Sequence, residues 1–180
     1  MRKRGLSGAV ILALAAGAAF GQATQAEQPI PLFQDAGLMT GLILEATGFG
    51  LVVGGGAAAA VSLDAALVMM QIAPICSAAG AWVSQGKMES YTELWLSRGL
   101  EFDAEALIRK SRAAAIGTSA FAACALVLPL LGEIGAYLSL ACSGVAVGWD
   151  MYAFYTARGV WHRGINEAIL GSGIDWKAYR

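Results

Sequence analysis

The sequence predicts an all-α integral membrane protein, a bundle of three to four apolar helices with a short amphipathic helical connector. Three observations carry this expectation. Hydrophobic residues fill 57% of 180 positions and charged residues 14%, against roughly 25% charged in a soluble domain. Four long apolar stretches follow the first 26 residues, at 37–53, 57–83, 113–131 and 134–157. The first two each hold a carboxylate, Glu45 and Asp64, and a charge at bilayer depth is costly and usually kept for a reason.

The chain opens Met1-Arg2-Lys3-Arg4, followed by an apolar run from Gly5 to Phe20 and small residues ending at Ala26. A basic start, an apolar middle and a small-residue cleavage site read as a signal peptide over 1–26. Cleavage there removes three of 12 bases, leaving nine against 13 acids and a net charge of −4. No basic stripe suits nucleic acid.

The region 27–83 is glycine-rich and apolar, after a Pro-containing lead-in. Gly37, Gly41, Glu45 and Gly48 fall on one helical face, and Gly37-x-x-x-Gly41 lets another backbone come close. Gly54-Gly55-Gly56 is expected to break this helix. The second stretch then begins at Ala57, places Asp64 and Gln71 on one side, and is expected to kink at Pro74.

Residues 84–112 form the polar connector. Met88, Tyr91, Leu94 and Trp95 recur at helical spacing, and Gly99 ends that short helix. A second helix starts near Asp103 and runs into the third apolar stretch. That stretch covers 19 residues, enough for about 28 Å, and closes at Pro129 and Gly132. The hairpin 113–157 is completed by a fourth stretch containing Gly144-x-x-x-Gly148. Asp150 lies late in it, and Trp149, Tyr152, Tyr155 and Trp161 gather at this end as an interfacial belt. The tail, 158–180, reads as polar and surface-lying.

Orientation sets two rules against each other. If all four stretches cross after an exported N-terminus, every remaining base lies outside, against the positive-inside bias. If 37–53 is instead re-entrant, the bases fall inside, so three crossings are the preferred expectation.

Glu45 and Asp64 are equidistant from the Gly54-Gly55 midpoint, so a simple hairpin places them at one depth. Two carboxylates together in a poor solvent form a candidate proton or cation site, with Gln71 beside it. Cys124 and Cys142 each lie nine residues from Glu133, about 13 Å from the turn, which permits a disulfide. No cysteine has metal-ligand spacing. Gly80 to Met88 reads G-x5-G-K-M, which misses the phosphate-loop spacing, and Gly48-x-Gly50-x-x-x-Gly54 misses the dinucleotide turn. His162 is the only histidine. No metal, cofactor or catalytic constellation is expected.

The functional expectation is a non-catalytic subunit or scaffold of a larger membrane assembly, in a bacterial inner membrane after signal-directed export. Its partners are the lipid bilayer and other membrane subunits, and the small-residue faces at Gly37/Gly41 and Gly144/Gly148 suit close packing, within the chain or with those partners. The alternatives are a proton or cation transport component using Glu45 and Asp64, and a secreted pore-former.

Overall fold

A computed structural model describes residues 28–30 and 35–179; the signal segment lies outside them. Five helices account for most of these residues, and no strand occurs among them: α1 (Ala36–Ala58), α2 (Leu63–Leu96), α3 (Glu105–Val127), α4 (Glu133–Ala153) and α5 (Gly159–Gly171). Four helical segments are long and apolar enough to cross a membrane. The chain is an all-α bundle and an integral membrane protein.

Helix α1 starts at Asp35, whose carboxylate accepts the Leu38 N–H at 2.7 Å, as an N-cap should. It runs unbroken through Gly54-Gly55-Gly56. In hydrocarbon the backbone has no water to bond instead, so even glycine stays helical. Its 23 residues span about 34 Å. Residues 37–53 therefore lie within one continuous helix long enough to cross, not in irregular re-entrant backbone.

The chain turns at 59–62, and Ser62 caps α2. Helix α2 returns antiparallel along α1, with Pro74 buried inside it. A Cβ built on Gly41, Gly48 or Gly55 would meet the carbonyl oxygens of Gly80, Ala73 or Ala66, at 3.1, 2.7 and 3.4 Å. Both helices thus present a small residue every seven positions. That is the spacing by which a left-handed pair stays in contact.

Helix α2 has 34 residues, about 51 Å, against a hydrocarbon thickness of about 30 Å. Its last third projects beyond the membrane. Met88, Tyr91 and Trp95 belong to that projection, so the expected separate connector helix is the continuation of α2. Gly99, at φ +85°, ends the segment. Helix α3 runs into the third apolar stretch, a 3-10 turn covers Leu128–Leu131, and Gly132, at φ +83°, reverses the chain into α4.

The two halves of the molecule bury opposite kinds of residue. Within the apolar bundle the buried positions are small: Ala66, Ala73, Ala115, Ala125, Ser139 and Ala146 among them. Large apolar side chains such as Ile43, Phe49, Ile72, Phe121, Leu126 and Leu138 point outward. That arrangement suits lipid, where apolar packing gives no advantage over the solvent but close backbone approach does. Beyond the bundle a cap follows the aqueous pattern. Met88, Trp95, Leu100, Trp161, Ile165 and Ile169 form its buried core, and the Trp161 indole N–H donates to Thr92 Oγ at 2.9 Å.

The tail therefore departs from the surface-lying expectation. Trp161, Ile165 and Ile169 recur every fourth residue on α5, and that stripe docks into the cap. Asn166 ties the N-terminal lead-in to α5, accepting the Ile30 N–H at 2.8 Å.

Candidate functional site

Glu45 points from α1 into the bundle, nine residues along the helix. Helical side chains lean toward their own N-terminus, so its carboxylate reaches back toward the cap. There it accepts the Ser84 hydroxyl at 2.9 Å and an N–H from Arg158 Nη1. Arg158 Nη2 donates to Asp150 Oδ1. Relative exposures of 5% for Arg158, 3% for Glu45 and 1% for Asp150 leave the triad almost sealed from solvent. Charges this deep survive only when paired and hydrogen-bonded.

The backbone explains how Arg158 meets Asp150. Eight residues of ideal α-helix turn about 800°, which would leave the two side chains about 80° apart. Between them, however, residues Phe154–Arg158 form a π-helical turn. Such a turn inserts one extra residue, so the pair behaves as if seven apart and shares a face.

Other polar groups are buried in the molecule. Arg158 Nε, Ser77 Oγ, Gln85 Oε1, Ser111 Oγ and Thr118 Oγ have no hydrogen-bond partner among the described residues. A cavity of about 60 Å³ borders the triad on the cap side, lined by Leu38, Leu42, Ser84, Met88, Arg158 and His162 among others. It has room for on the order of four waters. His162 forms part of its wall, and its Nε2–H donates to the Ile30 carbonyl at 2.9 Å.

Of the candidate ion-site residues Glu45, Asp64 and Gln71, only Glu45 enters this centre. Asp64 is exposed in the first turn of α2, and Gln71 is half-buried farther along that helix. The equal-depth expectation fails because the hairpin turns at 59–62, not at Gly54-Gly55. Between the Gly41–Gly80 and Gly48–Ala73 contacts, Glu45 lies level with Cys76. Asp64, twelve residues nearer the turn, is about 18 Å away.

Gly37 packs on the Lys87 side chain and Gly41 on Gly80 and Ser84, so this pair serves packing within the chain. Gly144 and Gly148 face outward, and a Cβ on either would meet no atom within 4 Å. Cys124, exposed, and Cys142, half-buried, are free thiols in this structure. No group of three or more His, Cys, Asp or Glu among the described residues could hold a metal.

Sequence reasoning missed Arg158 and left Asp150 without a role. Their separation hides the pairing unless the π turn is known. The one legible signal was charge: Arg158 is the first base after an apolar run that already holds Asp150. No known protein family, curated protein or solved structure matches the chain.

Proposed function

We propose that this protein is a non-catalytic subunit or scaffold of a larger membrane assembly. The outward Gly144–Gly148 pair on α4 carries the reading. Glycine costs a helix about 1 kcal/mol relative to alanine, and its compensation in a membrane is close approach of another backbone. At Gly41 and Gly48 that backbone is the chain's own. At Gly144 and Gly148 no described residue supplies one, while exposed Val145, Trp149 and Tyr152 flank the pair.

The test is affinity capture of the full chain from gently solubilised membranes, followed by mass spectrometry. A membrane protein that co-purifies with the wild type and is lost with Gly144→Leu/Gly148→Leu supports the reading. A monodisperse monomer that brings down nothing overturns it.

A bacterial inner membrane reached through the N-terminal signal remains the proposed location. Lys87, Arg98, Arg109, Lys110, Arg112, Arg158, Arg163 and Lys177 all belong to the cap or its junction with the bundle. The two turns at the opposite end carry only Asp64 and Glu133 as charged neighbours. The positive-inside bias therefore favours a cytoplasmic cap. With four crossings, the described residues begin and end on the cap side, so an exported, cleaved N-terminus favours the reverse. A reporter active only outside, fused after Arg180, decides between them: silence supports the cytoplasmic cap, and activity supports the exported N-terminus.

The second reading is proton or cation transport, favoured by the Glu45–Arg158–Asp150 triad. In liposomes, flux should fall with Glu45→Gln and Asp150→Asn and should not change with Asp64→Asn. Unchanged flux in the first two variants ends this reading.

A further inference from the structure

We propose that the Glu45–Arg158–Asp150 triad is a binding site for one exchangeable proton, reached from the cap side through the cavity beside Arg158 and His162.

The inference begins with a count of charge. Two carboxylates share one guanidinium, so the fully ionised triad holds an excess negative charge in a poorly polarisable setting. An uncompensated buried charge costs several kcal/mol, and one proton on the carboxylate pair removes it. Among the described residues no second cation pairs with either carboxylate. Lys87 is engaged by Asp35 at 3.7 Å, Arg112 by Glu89, and Lys110 lies over the Tyr152 ring at 5.1 Å. From α2 the triad is faced by neutral groups: Ser84, whose hydroxyl donates to Glu45, and Gly80, which lies against Glu45. On the α5 side the titratable group is His162, with Arg163 charged beside it.

Access is the second observation. The cavity reaches both Arg158 and Ser84, and Ser84 already donates to Glu45. Arg158 Nε is buried and unpartnered, so it offers a donor to water held there. Water in the cavity, the Ser84 hydroxyl and the Glu45 carboxylate then form a chain along which a proton can hop. A hydrated metal ion suits the site poorly, because the guanidinium already occupies the space between the carboxylates. The largely apolar cavity wall supplies few oxygen ligands.

Proton binding is an equilibrium property and requires neither flux nor a partner subunit, so it stands or falls apart from both readings above. The test is pH-difference infrared spectroscopy of the purified full chain in lipid nanodiscs, with the pH itself as probe, from about 4 to about 9. The wild type should show the C=O stretch of a protonated carboxyl that shifts in D2O, and Glu45→Gln or Asp150→Asn should remove or move it. Absence of the band in the wild type, or a band indifferent to both variants, overturns the proposal. Leu42→Trp, which fills the cavity and leaves the triad's own residues intact, should slow deuterium exchange at the band several-fold. Unchanged exchange overturns the route through the cavity.

Discussion

Gly80→Ala adds one methyl group where the two longest-paired helices touch. The new Cβ would lie 2.6 Å from the Gly41 carbonyl oxygen, 2.8 Å from Glu45 Cγ and 2.9 Å from Glu45 N. Ordinary contact begins near 3.4 Å, and two of these three atoms are backbone, which cannot rotate away. The helices must part by most of an ångström, and overpacking of this kind costs about 1–3 kcal/mol. Alanine returns about 0.5–1 kcal/mol through better helix propensity. The net loss is about 1–2 kcal/mol, or about 5–30-fold in the ratio of folded to unfolded protein. Gly148→Ala makes the same chemical change where no atom lies within 4 Å, so it keeps only the gain of about 0.5–1 kcal/mol. Unfolding by SDS in mixed micelles, followed by circular dichroism, compares the two. If Gly80→Ala proves as stable as Gly148→Ala, the close α1–α2 seam is refuted.

Arg158→Leu leaves two buried carboxylates without their shared partner and should cost about 3–5 kcal/mol in the same titration; a loss under about 1 kcal/mol would mean the site is wet. Asp64→Asn, at an exposed position, should stay within about 0.5 kcal/mol of wild type. At the start of α1, burial alone would push the Asp35 carboxyl up. The Tyr91 hydroxyl, the Leu38 N–H and the Lys87 ammonium outweigh that and hold it below the usual carboxylate range. Because the folded-state value is the lower one, this contribution is present above about pH 4 and is lost as pH falls through the folded value. Tyr91→Phe should move the acid limb of the helical signal toward higher pH, and an unmoved limb would show the Tyr91–Asp35 bond to be idle.

The fold was legible in sequence because its strongest terms act locally. Apolar stretches long enough to cross a bilayer announce themselves, and Gly99 and Gly132 mark turns where positive φ requires them. The first hairpin was misplaced for a reason of solvent. Three consecutive glycines break a helix in water, but in hydrocarbon the unbonded backbone costs more than glycine's lost entropy. The connector was misjudged because its polarity reflects where α2 leaves the membrane, not where α2 ends. Glu45 was visible as an isolated charge. Its partners were not, since Arg158 and Asp150 meet through a π turn that spacing does not announce, and Glu45 meets Arg158 across 113 residues of chain.

That long separation has a consequence for biogenesis. Glu45 lies in the first described helix, and its counter-ion Arg158 is made 113 residues later. Until residue 158 is synthesised, Ser84 is the only one of its described hydrogen-bond partners that can have arrived. A chain truncated before that residue lacks the guanidinium that pairs with Glu45 in the finished fold.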